Sequence, residues 1–387
     1  MRVPVYLDHH ATTPMDPRVM IAVAACMRDD FGNASSIDHQ YGMRAAELVE
    51  IAREKVASTL RAKAEEIVFT SGATESDNLA ILGVSEVNPK EGDHYVTTAI
   101  EHKAVLDSFR TLENRGKKVT YLPVTRDGLV SPDALTAAIR SDTRMVSIML
   151  ANNEIGTIQE MASLSKIVHD AGALLHVDAA QAVGHIPVDV GKLDLDLVSF
   201  SAHKVYGPKG VGGLYVGRRN RRVELRPQLL GGGQEHGLRS GTLNVPGIVG
   251  IGEALAIASK EMARETRRIG RLRDRLQSGL LALGDVSVNG HTEYRLPHNL
   301  NVRIGGVDGK ALISSTSKSV AFSASSACSA QSVEPSHVLI AIGHTPESAH
   351  MCVRFGLGRW TTDEETDFAC EVLAKSIHRL RLIRTAK

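Results

Sequence analysis

The sequence lacks the features typical of secreted, membrane-bound or nucleic-acid-binding proteins. Its 387 residues include four cysteines, which form no C-x-x-C pair and no evenly spaced framework, so we expect neither structural disulfides nor a metal centre. No apolar stretch approaches the ~20 residues that span a bilayer. With 45 basic against 44 acidic residues, the net charge gives no reason to expect direct binding to nucleic acid or to a membrane surface. Specificity must therefore come from a local site.

The remaining composition is that of an ordinary globular protein. Hydrophobic residues make up 43% of the chain and charged residues 23%. The length suffices for one large domain and a smaller one. The first residues lead directly into the strand-like run V-P-V-Y-L at 3–7, without a basic segment followed by an apolar one. The sequence therefore predicts a cytoplasmic protein.

Short apolar runs alternate with amphipathic, helix-length segments from about residue 17 to 257. The runs lie at 67–70, 95–99, 119–122, 145–150, 173–178, 197–201 and 212–216. They are apolar on both faces, as expected for strands of a mainly parallel sheet that helices cover on both sides. This pattern predicts an α/β fold, with residues 17–257 as the large domain.

The chain beyond the glycine-rich stretch 241–252 has a different pattern. A long, charged helix is predicted from Glu253 to about Leu283, typical of a helix that links two domains. Strand-like pieces at 287–289 and 299–304, the run V-L-I-A-I-G at 338–343 and a final helix follow. We therefore predict a smaller α+β domain formed by residues 1–16 and 258–387.

A lysine follows one of the predicted strands. Lys204 lies in S-F-S-A-H-K-V-Y-G-P-K-G at 199–210. A lysine just past a strand end, flanked by hydroxyl and imidazole groups and held by a Gly-Pro turn, is suited to be a fixed amine nucleophile. A lone lysine is more often a solvated surface charge, so this interpretation depends on what lies nearby.

An aspartate ends another predicted strand. Asp178 lies in H-V-D-A-A-Q at 176–181, after an otherwise apolar run. A buried carboxylate needs a partner, and the protonated pyridine nitrogen of pyridoxal 5'-phosphate (PLP) is one. The alternative is a helix N-cap.

A third candidate is the turn T-S-G-A-T-E-S-D-N at 70–78, where a predicted strand ends and a helix begins. Backbone N–H groups at the helix start, together with the Thr74 hydroxyl, would bind a phosphate dianion. An ordinary capping box is the alternative.

These motifs and several others resemble the PLP-dependent cysteine desulfurases of the NifS/IscS type, class V of the fold-type I aminotransferase superfamily. The resemblance covers nearly the whole chain and implies a seven-stranded, mainly parallel sheet. It rests on Y-L-D-H-H-A-T-T-P at 6–14, F-G-N-A-S-S at 31–36, S-G-A-T-E-S-D-N-L-A at 71–80, E-H-K-A-V at 101–105, N-N-E-I-G at 152–156, H-V-D-A-A-Q at 176–181, S-F-S-A-H-K-V-Y-G-P-K-G at 199–210, G-L-R-S-G-T at 237–242 and R-F-G-L-G-R at 354–359.

The resemblance implies specific roles. Lys204 would form a Schiff base with PLP, Cys328 would carry the sulfur, and His102 would stack on the cofactor ring and assist proton transfer. Asn153 and Arg354 would position the substrate, L-cysteine, with the guanidinium forking onto its carboxylate. By the same resemblance, Asp178 would pair with the pyridine nitrogen and Gln181 with the phenolic oxygen. Thr74, Ser201 and His203 would bind the phosphate. The full set of implied cofactor-binding residues is Ala73, Thr74, His102, Asn153, Asp178, Gln181, Ser201, His203, Lys204 and Thr242.

The resemblance also implies a homodimer, because Thr242 would reach the phosphate of the partner subunit. Cys328 lies in S-A-S-S-A-C-S-A-Q at 323–331, a run of small residues that predicts an exposed loop at about 322–336. The family's usual surroundings, S-S-G-S-A-C-T-S, contain a glycine that this loop lacks. Cys26, Cys352 and Cys370 are interpreted as packing residues.

Other functions and several sulfur acceptors stay open. Within PLP chemistry the alternatives are an aminotransferase, which needs no thiol on a loop, and a selenocysteine lyase; a non-catalytic scaffold for sulfur trafficking is the alternative from another class. The acceptor would be a protein of iron–sulfur cluster assembly, tRNA thiolation or DNA sulfur modification (phosphorothioation).

Related housekeeping enzymes often carry a longer C-terminal tail that docks the cluster scaffold, whereas this chain ends at Lys387. The basic run at 218–222 is typical of a solvated face, with a docking patch for an acidic acceptor as the alternative.

Overall fold

The structure is a computed structural model that describes residues 3–87, 93–218, 223–324 and 334–385. The strands in these ranges are β1 (Val5–Tyr6), β2 (Ile67–Thr70), β3 (His94–Thr98), β4 (Lys118–Leu122), β5 (Thr143–Ser147), β6 (Leu174–Asp178), β7 (Leu197–Ser201), β8 (Gly212–Val216), β9 (Val286–Val288), β10 (Asn299–Ile304), β11 (Val320–Ala321), β12 (Ser323–Ala324) and β13 (Cys352–Gly356).

The helices in the same ranges are α1 (Pro17–Asp29), α2 (Gln40–Leu60), α3 (Ala73–Ser85), α4 (Lys103–Asn114), α5 (Pro132–Ala138), α6 (Met161–Asp170), α7 (Val245–Leu281), α8 (Gly309–Thr316), α9 (His337–Ala341), α10 (Pro346–Ala349) and α11 (Asp363–Thr385). Short 3₁₀ helices lie at Ala64–Glu66, Ala202–Lys204 and Glu235–Gly237. None of the helices in the described ranges is long and apolar enough to cross a membrane.

The central sheet has seven strands in the order β2-β8-β7-β6-β5-β3-β4. All neighbouring pairs are parallel except those of β8, which runs antiparallel to both β2 and β7. The predicted α/β fold with a mainly parallel seven-stranded sheet is confirmed. Because β8 is antiparallel to both of its neighbours, β2 runs parallel to β7 and β6. The carboxyl ends of β2, β6 and β7 therefore lie at one edge of the sheet.

A second, four-stranded sheet has the order β12-β13-β10-β9 and is antiparallel. Strand β1 pairs with β11, which joins the start of the chain to this later region. Residues 338–341 of the run V-L-I-A-I-G lie in the short helix α9, which has Ser336 as its N-cap.

Helix α7 begins earlier than the sequence predicts, at Val245 instead of Glu253. Asn244 caps it, because its side chain accepts a hydrogen bond from Gly247 N. The glycines that suggested a loop serve helix packing instead. A Cβ on Gly252 would lie 2.8 Å from Ala52 Cα, so glycine allows α7 to approach α2 closely.

The same helix contributes to two hydrophobic cores. Its first half packs into the cluster around the central sheet, through residues such as Ile251 and Leu255. Its second half packs with the antiparallel sheet and α11, through residues such as Leu272 and Leu276. The boundary at residues 257 and 258 stays a prediction.

Candidate active site

A cavity of about 580 Å³ opens at the edge of the central sheet where β2, β6 and β7 end. Of the residues singled out from the sequence, Ala73, Thr74, His102, Asn153, Asp178, Gln181, Ser201, His203, Lys204 and Arg354 line it. Thr242 is not among the lining residues; it is exposed at the surface. Cys328 lies outside the described residues, as do positions 219–222 of the basic run. The structure therefore brings together residues from six of the sequence motifs.

Lys204 lies at the end of the short 3₁₀ helix that follows β7. Its Nζ donates hydrogen bonds to the carbonyl oxygens of His10 and Ala11, the latter at 2.9 Å. The turn that carries it is braced by Thr13, whose hydroxyl donates to His203 O and accepts from Tyr206 N, both at 2.8 Å. Lys204 is thus a half-buried amine facing a cavity, in contrast to a lysine on a solvated face.

Asp178, the last residue of β6, is buried, and its Oδ1 accepts a hydrogen bond from Ala180 N at 2.9 Å. The residues after it form turns, so the N-cap interpretation is wrong. Burial raises the pKa of Asp178 although His102, the Ala180 N–H and Lys204 act to lower it. These three groups stabilise the ionised carboxylate less than burial destabilises it, so the net pKa is raised. A cationic ligand beside Asp178 would stabilise the ionised form further.

Two further acids are buried near Asp178. Burial raises the pKa of Asp77 well above its ordinary value, and the neighbouring Asp178 raises it further. Burial likewise raises the pKa of Glu101 to about 8. Neither Asp77 carboxylate oxygen nor Glu101 Oε2 makes a well-formed hydrogen bond within the ranges described, although Asp77 Oδ1 lies 3.6 Å from His176 Nε2 and the Ser199 hydroxyl acts to lower the Asp77 pKa. Burial and mutual repulsion favour the neutral forms of Asp77 and Glu101.

The turn after β2 has the form of an anion site. Gly72 is the N-cap of α3, has a φ of 153°, and no side chain from the described residues caps this helix, so the capping-box interpretation is wrong. Gly212 lies opposite both Thr70 and Ser201 in the sheet register. A Cβ on Gly212 would lie 2.6 Å from Gly72 Cα, so glycine is needed for the turn to lie here.

Two further side chains border this turn. The Ser201 hydroxyl would lie 3.9 Å from a Cβ on Gly72. Burial lowers the pKa of His203 to about 4, and its Nδ1 contacts Thr12 Oγ1 at 3.1 Å. Uncapped helical N–H groups and a hydroxyl beside the cavity are the donor set that binds a phosphate. The cavity residues therefore fit PLP: an amine, a carboxylate for the ring nitrogen and a phosphate cradle.

His102 is the N-cap of α4, and its Nδ1 accepts a hydrogen bond from Ala104 N at 3.2 Å. Because Nδ1 acts as an acceptor, the proton of a neutral His102 ring is on Nε2. The cap fixes the ring at the cavity wall, with Nε2 as the nitrogen that can exchange a proton.

Arg354 of β13 is almost fully buried and already has protein partners. Its Nη2 forms an ion pair with Asp8 Oδ1 at 3.0 Å, and its Nη1 donates to Asn153 O at 2.9 Å. Asp8 Oδ2 in turn accepts from Ser323 Oγ at 2.7 Å. Arg354 Nε has no partner in the described part of the chain. The guanidinium is thus a carboxylate-binding group whose present carboxylate is Asp8.

Glu154 connects the cavity wall to the start of helix α9. Its Oε2 accepts a hydrogen bond from Ser336 Oγ at 2.6 Å, and Ser336 begins helix α9. Burial raises the pKa of Glu154 to about 7. The residue next to Asn153 therefore also holds the start of α9.

The three described cysteines are poor nucleophiles. Burial raises the thiol pKa of Cys26 and Cys370, and that of Cys352 to about 11. Cys352 Sγ accepts a hydrogen bond from Asn289 and contacts Ser348 O. Each thiol is therefore protonated at neutral pH, and none lines the cavity.

The sequence motifs contained two residues to which no role was assigned: His10, which lines the cavity, and Asp8, which pairs with the lining residue Arg354. Both follow the strand-like run at the start of the chain. A charged or polar residue just after a buried strand was the signal used for Asp178, and it applies equally to these residues. The sequence does not indicate which residues they contact, because Arg354, the partner of Asp8, and Gln181, the partner of His10, lie far along the chain.

Comparison with known proteins agrees with this geometry. Residues 5–368 match the family described as Aminotransferase class-V. Cysteine desulfurase IscS of Methylococcus capsulatus is 51% identical over 383 residues, which cover 99% of this chain and 94% of the relative. A solved NifS-like protein has a TM-score of 0.91 and 40% identity, covering 97% of this chain and 100% of that one. SspA, solved in complex with cysteine, has a TM-score of 0.80 and 36% identity, and the match covers 92% of this chain and 100% of SspA.

The sheet order, the cavity at the strand ends and the family match define an α/β enzyme of the aminotransferase class V, with the fold-type I architecture. Within that class, the near full-length similarity shows that the chain belongs to the cysteine desulfurases. Enzymes of this family depend on PLP.

Proposed function

We propose that this enzyme binds PLP through Lys204 and removes sulfur from free L-cysteine, releasing L-alanine and keeping the sulfur as a persulfide on Cys328. The observation that carries the proposal is the presence of the Lys204 amine, the buried Asp178 carboxylate and the uncapped start of α3 around a single cavity. SspA, whose solved structure contains cysteine, supports the choice of substrate.

The cavity residues would hold the cofactor by charge and hydrogen bonding. Asp178 would pair with the pyridine nitrogen and thereby regain its charge, and Gln181 would donate to the phenolic oxygen. The phosphate would lie against Ala73 and Thr74 at the start of α3, with Ser201 and His203 beside it. PLP supplies an electron sink that acidifies the Cα proton of a bound amino acid.

Substrate binding and proton transfer would involve the chain's own groups. The carboxylate of L-cysteine would displace Asp8 from Arg354, with Asn153 alongside, because the guanidinium can bind either carboxylate bidentately. Once the substrate amine has taken its place, the Lys204 amine would accept the Cα proton. His102 would assist proton transfer as a donor from its Nε2–H, because its Nδ1 already accepts a hydrogen bond from Ala104 N.

The Cys328 thiolate would attack the sulfur of the substrate, which breaks the substrate C–S bond and forms an S–S bond. The carbon left behind gains a proton and leaves as alanine, so cysteine plus enzyme thiol gives alanine plus enzyme persulfide without an added oxidant or reductant. The high thiol pKa values of the three described cysteines favour Cys328 as the sulfur carrier.

The test is an assay of alanine and sulfide formed from L-cysteine by the PLP-loaded protein in the presence of a reducing thiol. We expect Cys328→Ala to keep the visible absorption of the bound cofactor and to lose turnover. Cys370→Ala is the matched control, because that thiol packs against Gly279 in the core between α7 and α11, and it should retain turnover. Failure of the wild-type protein to form alanine would reject the proposal, and assay of selenocysteine separates a selenocysteine lyase.

We also propose a homodimer in which Thr242 contacts the phosphate bound to the partner subunit. Its exposed position, apart from the cavity of its own chain, supports this arrangement. Helices α1 and α2 and their connection expose a group of large apolar side chains: Met20, Ile21, Met27, Phe31, Ile37, Tyr41 and Met43. Sedimentation analysis with Phe31→Asp and Met27→Asp would test whether this surface is the interface, because a charge in an apolar interface should yield monomers.

Three further expectations complete the proposal. Residues 17–257 would form the large domain and residues 1–16 with 258–387 the small one, which the division of α7 between two cores supports. The enzyme would act in the cytoplasm. The persulfide would pass to an acceptor protein in iron–sulfur cluster assembly or in the sulfur modification of nucleic acid, and recovery of proteins bound to the persulfidated enzyme would identify it.

A further inference from the structure

His10 makes a two-point contact with Gln181. Its Nδ1 lies 2.9 Å from Gln181 Oε1, and its carbonyl oxygen accepts a hydrogen bond from Gln181 Nε2 at 3.1 Å. A carbonyl oxygen can only accept, so the amide nitrogen must face it and the amide oxygen must face the imidazole. The orientation of the Gln181 amide is therefore fixed by residue 10.

The protonation of His10 follows from its surroundings. The ring is 1% exposed, and burial, with the nearby charge of Arg354 and Lys204, lowers its pKa well below the ordinary value. The ring is consequently neutral and carries one proton. Because Gln181 Oε1 is an acceptor, that proton is on Nδ1.

A stack of histidines holds the His10 ring in place. His10 stacks on His298 with ring centres 4.4 Å apart and planes at 19°, and His298 stacks on His185 at 4.1 Å and 28°. His185 Nε2 contacts Lys204 O at 2.8 Å. The stack therefore connects Gln181 at one end with the backbone of Lys204 at the other.

Residue 10 also contacts Lys204 directly, because its carbonyl oxygen accepts a hydrogen bond from Lys204 Nζ. With one Nε2 hydrogen of Gln181 bound to that same carbonyl, the second Nε2 hydrogen is left for a ligand in the cavity that Gln181 lines.

We propose that His10 is a positioning residue that holds the Gln181 amide through its Nδ1–H and its carbonyl, so that the remaining Nε2–H of Gln181 stabilises negative charge on the phenolic oxygen of bound PLP. This inference rests on the proposed function. A hydrogen bond to the charged form of a group favours that form, so the contact would favour the unprotonated Schiff base at Lys204.

The test is the pH titration of the visible absorption of the PLP-loaded protein without substrate. His10→Phe keeps a stacked ring and removes the donor, and we expect it to raise the titration midpoint by roughly one pH unit, the scale of one hydrogen bond. Gln181→Leu should raise the midpoint at least as much, because the carbonyl of residue 10 still holds the Gln181 amide in His10→Phe. His10→Asn, whose side-chain amide can place an N–H near the position of Nδ1, should titrate close to the wild type.

The double variant His10→Phe with Gln181→Leu decides between positioning and an independent effect. We expect it to titrate like Gln181→Leu alone, because His10 acts only through the Gln181 amide, which that variant already lacks. Additive shifts, or a His10→Phe midpoint equal to that of the wild type, would overturn the inference. If His10→Phe does not fold, His10→Ala removes the same donor without added volume and takes its place. A wild-type protein without a visible band that depends on Lys204 would instead contradict the proposed function.

Discussion

The two ends of the cavity treat charge in opposite ways. At the end where the cofactor would bind, Asp77, Glu101 and Asp178 are buried acids with raised pKa values. At the end where the substrate would bind, Arg354 is buried in an ion pair with Asp8. The first end has more acid than positive charge to balance it, and the second has a cation that is already balanced.

The difference indicates how each end would select its ligand. A cationic ring nitrogen beside Asp178 supplies charge that the protein lacks, so binding there restores an ionised carboxylate. A substrate carboxylate at Arg354 instead replaces one that the protein provides, and the net gain is the difference between two similar contacts. We therefore expect tight binding at the cofactor end and weaker, exchangeable binding at the substrate end.

The largest expected effect is that of Lys204→Ala, which removes covalent attachment at the cofactor end. Turnover should fall by at least about 10³-fold, because the same amine also takes the Cα proton. The visible band of the attached cofactor should disappear. Lys209→Ala is the matched control, since Lys209 lines the same cavity in the next turn. Equal losses in both variants would mean that positive charge, rather than attachment, is what Lys204 provides.

Asp178→Asn and Asp77→Asn test whether negative charge at the cofactor end is confined to one carboxylate. Asp178→Asn should lower kcat on the order of 100-fold, because the ring nitrogen loses its counter-ion. Asp77→Asn should change kcat by less than about threefold, since an amide replaces an acid that burial keeps neutral. Steady-state kinetics checks both. A comparable loss in Asp77→Asn would show that the two acids share the charge.

Arg354→Lys tests the substrate end. A lysine keeps the charge but loses the fork, so KM for L-cysteine should rise about 10-fold, with the cofactor band unchanged. Arg303→Lys is a control on the adjacent strand β10, where the guanidinium pairs with Asp285 near the surface. A changed cofactor band in Arg354→Lys would mean that the two ends are not separate.

The sequence alone predicted the cofactor end better than the substrate end. Strands that helices cover on both faces are apolar throughout, so the runs at 67–70, 197–201 and 212–216 matched β2, β7 and β8 in their bounds. Residues that end such strands can be recognised locally, as Asp178 was. Their presence at the cavity follows from the topology of a parallel sheet.

The substrate end depends on contacts between distant parts of the chain. Asp8 and Arg354 are separated by 346 positions, and no local pattern indicates that they form an ion pair. The predicted start of α7 was wrong for a related reason. Glycines that pack against α2 and Pro208 cannot be distinguished in the sequence from glycines of a loop. The predicted loop around Cys328 lies largely outside the described residues.

The smallest expected effect concerns stability, and it compares Glu101 at the cofactor end with Glu154 at the substrate end. The folded protein raises the pKa of Glu101 from 4.5 to about 8, so it binds this proton more tightly than the unfolded chain does. The contribution of Glu101 to stability is therefore most favourable below pH 4.5 and is lost as the pH rises towards 8, with a slope of about 1.4 kcal/mol per pH unit. Glu101→Gln resembles the protonated acid and should remove that slope.

For Glu154 the corresponding interval ends at about pH 7. The measurement is urea unfolding of the PLP-free protein between pH 5.5 and about 8.5. The free energy of unfolding of Glu101→Gln, relative to the wild type, should increase with pH up to about pH 8. For Glu154→Gln the same difference should level off at about pH 7. The amide of Glu101→Gln can still accept from Thr98 Oγ1 and Met149 N, so the change should leave the local contacts in place. If Glu101→Gln instead destabilises the protein at pH 8, Glu101 is ionised in the folded state, and the cofactor end carries more negative charge than Asp178 alone.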